Sequence, residues 1–355
     1  MMSAQKRNEN SSEWAVLGGL RFALASIVFW THFGGYVRLP RPLAHISDFG
    51  AFAAVLGFFV VSGYSIAASL ERDSRPGAFY ERRLTRIYPT FFACMILACI
   101  PFLTAGPMAG GGVDVPKSAW SVVLNFLLLG GIVVAPLATI GVVWSLVIET
   151  VYYLLAPAFH RVSSRWLLGI VAVSAAAYWL HTSFHVVDFN EGVNGSYGAL
   201  ALAWAWLLGF LLQRHPKDRR ILLGGIVLGC LLLGRFDQYG VAHFSCAVFA
   251  GAVAFIASAR SIAVSCRMAR LLDWLGELSY PLYLCHAPIL ILLYGGGREW
   301  TWPLGLLAVA AGSIVLLHGV DLPYRAYARR RSSHRHDTPK SVSKICVPLP
   351  LSLPE

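Results

Sequence analysis

The chain has 355 residues, of which 57% are hydrophobic and only 13% charged, and its mean hydropathy is +0.61. A water-soluble domain carries about 25% charged residues, so the composition excludes one and points to a polytopic membrane protein. The net charge of +11 is no argument for nucleic-acid binding, because the basic residues sit in loops beside apolar runs, where they set membrane orientation.

Apolar runs fall at about 15–33, 49–70, 88–106, 119–137, 140–159, 166–181, 197–213, 219–234, 241–257, 276–295 and 302–320. Each approaches the roughly 20 residues that cross a bilayer as a helix, and no alternating pattern suggests a barrel. The expected fold class is all-α, a polytopic membrane helix bundle. The first run contains Arg21 and lacks a small-residue cleavage site, so it reads as a retained span rather than a signal peptide. If every run crossed, the RHPKDRR loop at 214–220 would lie outside, against the positive-inside rule. Taking 119–137 as a re-entrant or interfacial segment leaves about ten transmembrane helices with both termini cytoplasmic. That choice puts 23 of the 29 Lys and Arg residues inside and five outside, with Arg21 in the membrane. Three regions are expected: a cytoplasmic N-terminal segment at 1–14, an integral membrane domain at 15–325, and a disordered basic cytoplasmic tail at 326–355.

In the first span, LGGLRFALASIVFWTHF, Arg21 and His32 are eleven residues apart. That is about 16 Å along a helix and about 20° beyond whole turns, so both leave one face. Ionisable groups inside a span usually face a bundle interior or wet cavity, although an arginine near a helix end also snorkels to lipid phosphate. The second span leads into FYERRLTRIYP, where Arg83 and Arg86 share a helix face. Such a pair suits bidentate phosphate binding, and topology or anionic lipid accounts for either arginine alone. Glu149 lies mid-span in VWSLVIETVYYLLAP with no neighbouring charge, Ser145 one turn before it. An unpartnered carboxylate there marks a function or a bond to a neighbouring helix.

The loop after the sixth run gathers His181, His185, Asp188 and Glu191. The two histidines have zinc-pair spacing, but no third ligand is visible and no metal is expected. The seven cysteines form no CxxC pair. In LGELSYPLYLCHAPI, Ser279, Tyr283 and His286 share roughly one face of a Pro-containing span, and His286 is either a catalytic or a structural hydrogen-bonding residue, the structural reading being preferred.

Taken in order, these segments resemble the acyltransferase-3 family of integral membrane acyltransferases. The resemblance is carried by Arg21 and His32 in the first span, Phe58-Phe59-Val60-Val61-Ser62-Gly63-Tyr64, Arg83 and Arg86 before Tyr88-Pro89, and Trp144 to Pro157. It continues through Ser279, Tyr280, Tyr283, Leu284, His286 and Pro288, and closes on Asp321, Pro323 and Arg325, with aspartate where the family usually has glutamate.

The resemblance implies O-acyl transfer, usually of acetyl from acetyl-CoA, to a hydroxyl of a cell-surface or exported glycan such as exopolysaccharide, lipopolysaccharide or peptidoglycan. The setting would be a bacterial inner membrane, with acyl-CoA as a substrate and no permanently bound cofactor. Some members carry an extracytoplasmic SGNH hydrolase-like domain; this chain is expected to transfer without one. On this reading Arg83 and Arg86 hold the nucleotide phosphates, Arg21 sits just inside the mouth, and the thioester reaches His32. His32 is then either general base or nucleophile, with Glu149 or Asp48 orienting its imidazole. The competing class is a secondary transporter or flippase that uses Arg21, Glu149, His286 and His32 as a path, although the two halves show no clear repetition.

Overall fold

A computed structural model describes residues 2–104, 118–184, 195–235, 241–295 and 300–337. These form an all-helical bundle: α1 (Met2–Tyr36), the short α2 (Arg41–Ala44), α3 (Ala51–Arg72), α4 (Pro76–Thr104), the short α5 (Ala119–Phe126), α6 (Val143–Arg161), α7 (Ser164–Phe184), α8 (Gly195–Arg214), α9 (Arg219–Arg235), α10 (Ala242–Ser258), α11 (Cys266–Tyr294), α12 (Trp302–Leu316) and α13 (Leu322–Asp337). Among the described residues eight helices are long and apolar enough to cross a membrane: α1, α3, α4, α6, α8, α10, α11 and the continuous α12–α13. The ten-crossing arrangement would add α7 and α9, helices of 21 and 17 residues. Apolar side chains outside the core suit a lipid surround, as in the exposed stripe Leu223, Val227 and Leu231 along α9.

The segment at 119–137 does not cross. Its helix is only eight residues long, about 12 Å, and the chain then turns back through Leu128 at φ 60° and Gly131 at φ 84°. Asn125 holds the return, donating to the carbonyls of Ser121 (2.8 Å) and Ala135 (3.0 Å) and accepting from the Leu137 amide (3.2 Å). A buried amide with its donors and acceptor engaged is what an irregular backbone needs inside a helical bundle. At the other end of the chain, helix α13 runs on to Asp337, past the boundary expected at 325. Residues 338–355 lie outside the described residues.

Two helix pairs organise the centre: α3 packs along α8, and α1 along α11. Helix α3 is largely apolar, with Ser62, Ser65 and Ser69 along one side, and is buried along almost its whole length. The crossings depend on glycine. A Cβ on Gly63 would run into the Trp206 carbonyl oxygen, and one on Gly209 into that of Val60. At the other crossing a Cβ on Gly276 would stand 2.5 Å from the Gly18 Cα. Backbones meet directly at both places, the small-residue packing common between membrane helices. Gly209→Ala is therefore expected to cost about 1–3 kcal/mol through overpacking, read as a lowered thermal midpoint in detergent. Gly224→Ala, where a Cβ meets nothing within 4 Å, should leave that midpoint unchanged.

Polar contacts fix the ends. Glu13, buried on α1, accepts from the Tyr64 hydroxyl (2.6 Å) and from Arg260 Nε (3.2 Å). In the turn between α3 and α4, Asp73 accepts from Arg75 (2.9 Å) and Arg82 (2.7 Å). Those two guanidinium groups hold its carboxyl well below the usual carboxylate range.

Candidate active site

Three cavities follow one another along the face of α1 that carries Arg21 and His32. The first, about 950 Å³, opens at the N-terminal end of that face and is ringed by Arg75, Arg82, Arg270 and Arg329. It shares Arg21, Arg83 and Arg86 with a second, narrower cavity of about 140 Å³ inside the bundle. Val55 and Tyr283 line both this inner cavity and a third of about 290 Å³, which holds His32. The arginines thus stand between mouth and interior, and Val55 with Tyr283 separates the interior from the histidine pocket.

Serines of α3 hold Arg21 and Arg83, and Asp321 at the α12–α13 junction meets Arg86. Arg21 Nη2 donates to Ser65 Oγ on α3 at 2.6 Å, and the Ser65 hydroxyl donates in turn to the Val61 carbonyl (2.8 Å). Arg83 reaches Ser69 Oγ at 3.4 Å and lies 5.6 Å over the Phe79 ring, while its buried Nε has no hydrogen-bond partner among the described residues. Arg86 Nη1 is 3.6 Å from Asp321 Oδ2, a contact shared with Arg325, whose Nη2 lies 2.5 Å from the same oxygen. Asp321 is fully buried and arrives there through a π-helical turn, Leu317–Asp321, between α12 and α13. Such turns widen a helix by one residue and often mark functional sites. The guanidinium groups of Arg83 and Arg86 therefore keep donor capacity beyond their protein partners, which suits an anionic ligand.

Glu149 lines the inner cavity with Arg21 and Arg83. Its Oε1 accepts from Tyr153 OH at 2.6 Å, Tyr153 lies 3.3 Å from Ser62 Oγ, and Ser62 accepts from Trp206 Nε1 at 3.2 Å. Tyr153 is one helical turn from Glu149, a spacing legible in the sequence; Ser62 and Trp206 join from other helices. At the partition, Tyr283 OH is 2.7 Å from Ser145 Oγ.

The expected support of His32 by Glu149 or Asp48 is corrected by the geometry. The Glu149 carboxylate is engaged by Tyr153 in the inner cavity, and the half-exposed Asp48 faces His45 at 3.4 Å. Instead His32 Nδ1 lies 2.9 Å from Nε2 of His286, with the rings within 16° of parallel. His286 is completely buried, and its Nδ1 is 3.0 Å from the Leu282 carbonyl oxygen. These contacts fix the protons. A carbonyl only accepts, so His286 Nδ1 carries the hydrogen and its Nε2, in the neutral ring, is an acceptor. His32 Nδ1 must then donate, which puts the lone pair on His32 Nε2, and His32 lines the third cavity. His286 thus lies directly against His32 at this site. Its partner is 254 residues away in sequence, so no local signal could have paired them.

The remaining candidate cluster is only partly described. His181 is buried, its ring 5.5 Å from that of Tyr197; His185, Asp188 and Glu191 lie outside the described residues.

A basic mouth, an internal channel and an oriented neutral imidazole make a site able to bind an anionic donor and deprotonate a second substrate. Sequence comparison agrees. The acyltransferase-3 family, described as an acyltransferase domain, matches residues 14–318. Nodulation protein 10 of Rhizobium leguminosarum bv. viciae is 26% identical, over 88% of this chain and 95% of its own length. Acyltransferase MdmB of Streptomyces mycarofaciens is 27% identical, over 85% and 88%. Peptidoglycan O-acetyltransferase OatA of Listeria monocytogenes is 24% identical over 68% of this chain and 45% of its own. No solved structure matches the chain. With the family matched over most of its length and its residues folded into a membrane helix bundle around this site, the chain belongs to the acyltransferase-3 family and is a polytopic membrane acyltransferase.

Proposed function

We propose that the protein is an O-acyltransferase that moves an acyl group, in the simplest case acetyl, from cytoplasmic acyl-CoA to a hydroxyl of a cell-surface or exported glycan in a bacterial inner membrane. The observation that carries this reading is the sequence of cavities from the arginine-lined mouth to His32. The mouth is of a size that takes a drug-sized or nucleotide-like ligand, whereas the inner cavity admits only a slender chain. Arg83 and Arg86 hold the phosphates, Arg21 the inner end of the head group, and the pantetheine arm runs past Glu149 and Tyr153 to the Tyr283 partition. The helical rise from Arg21 to His32, about 16 Å, is then spanned by that arm. The peptidoglycan O-acetyltransferase among the relatives supports acetyl as the group and a glycan as the acceptor.

In the third cavity His32 Nε2 takes the proton of the acceptor hydroxyl as its oxygen attacks the thioester carbonyl. The C–O bond forms, the C–S bond breaks, and the proton passes from His32 to the departing thiolate, giving an ester and free CoA thiol. His286 Nε2 accepts the His32 Nδ1–H throughout, so the imidazolium that forms is stabilised without a buried carboxylate. His286→Leu is expected to lower kcat by about 10²-fold, the cost of losing orientation at a reacting group, with the apparent KM for acyl-CoA unchanged. His286→Gln, whose amide oxygen still accepts from Nδ1, should recover part of that loss; equal loss in both variants would argue for a packing role.

The reading is tested with membranes containing the protein and labelled acetyl-CoA, following label into extractable glycans and release of free CoA. Label in a glycan fraction, absent from membranes without the protein, is the expected result. Absence of both label transfer and CoA release, with longer acyl-CoAs also tried, would overturn it.

A further inference from the structure

We propose that a groove between α7, α8 and α9 is a binding site for one anionic glycerophospholipid. The groove has a volume of about 530 Å³ and shares no lining residue with the three cavities of the active site. Its walls are apolar: Leu168 and Val171 from α7, Leu208 and Leu211 from α8, Ile221 and Leu228 from α9. Gly224 faces open space, because a Cβ there would meet nothing within 4 Å. From Asp218 to Leu228 the groove follows α9 for about 15 Å, half of the roughly 30 Å hydrocarbon core. It is therefore as deep as one leaflet, the length of a single lipid tail.

The mouth is polar and basic. Ser164 Oγ and His215 Nε2 are 2.7 Å apart at its edge, beside Asp218 and Arg220. Arg214 is committed to the fold, donating to the carbonyls of Phe159 (3.1 Å), His160 (2.5 Å) and Val162 (2.8 Å), and so pins the loop to the C-terminus of α6. Lys217, Arg219 and Arg220 are exposed and form no ion pair among the described residues. Arg220 lines the groove beside Asp218, and the exposed Lys217 and Arg219 flank them in the same loop. The loop lies at the arginine-lined end of the bundle, where Gln213 Nε2 reaches Glu71 Oε2 at 3.0 Å. A phosphodiester head group with net negative charge complements this mouth, and a tail fills the groove. A zwitterionic lipid offers the same tail without the net charge. Basic pockets between membrane helices select anionic head groups in this way.

The test measures the thermal midpoint of the purified protein in detergent with added phosphatidylglycerol or phosphatidylcholine, and bound lipid by native mass spectrometry. Phosphatidylglycerol should raise the midpoint and remain bound as one lipid per chain, and phosphatidylcholine should do neither. Arg219→Glu with Arg220→Glu should weaken phosphatidylglycerol binding by tenfold or more, on the scale of about fivefold per basic residue. Gly224→Leu should fill the groove and abolish the shift, its midpoint without lipid serving as the check on folding. If Gly224→Leu folds poorly, the charge-reversed variant decides alone. Equal effects of the two lipids, or the wild-type preference persisting in the charge-reversed variant or in a folded Gly224→Leu, overturn the proposal.

Discussion

His32→Ala is expected to lower acyl transfer by about 10²–10⁴-fold, the range over which a positioned general base contributes, while binding of acyl-CoA persists. The separation of the two effects follows from the layout. His32 lines only the third cavity, and the arginines line the other two. The loss should therefore appear in kcat, with the apparent KM for the donor within a few-fold of wild type. The fold should survive, since His32 is only partly buried and its side chain meets His286 at the edge of a cavity. A matched fall in donor affinity would mean that His32 holds the donor instead of acting on the acceptor.

The paired change Arg83→Ala, Arg86→Ala should act in the opposite sense. Charge-assisted hydrogen bonds are worth about 1.5–3 kcal/mol each, so losing two raises the apparent KM for acyl-CoA by about 10²–10⁴-fold. Turnover at saturating donor should be largely retained. Folding is expected to hold, because Asp321 keeps Arg325 as its partner when Arg86 is removed, and Arg325 also reaches Glu277 at 3.3 Å. Lysine replacements should recover only part of the affinity, since an ammonium cannot make the bidentate contact. Titration of membranes with acyl-CoA measures this, and an unchanged apparent affinity would remove both arginines from the donor site.

Much of this site was legible where the physics is local. The spacing of Arg21 and His32 fixes a shared face without any tertiary information, and the same holds for Arg83 with Arg86. The glycines and proline of 119–137, together with the charge balance of the loops, were enough to mark a segment that does not cross. What the sequence could not supply was contact between distant helices. Glu149 looked like the natural partner of a histidine because carboxylates so often orient imidazoles, yet Tyr153, one turn away, engages it. The imidazole instead meets His286, which in turn meets the Leu282 carbonyl. Asp321 reaches Arg86 through a π-helical turn, a change of helical register that no hydrophobic period announces. Ser65, the anchor of Arg21, carries no signal beyond its place in an apolar span.

The central claim is that the donor enters at the arginine-lined end and the acyl group leaves at the histidine end. Sealed vesicles of both orientations, given labelled acyl-CoA only on the outside, test it most directly. Transfer to an enclosed acceptor is expected only from vesicles that turn the arginine-lined mouth outward, with none from the reverse orientation. Equal transfer from both, or transfer only where the His32 pocket faces the added acyl-CoA, would contradict it.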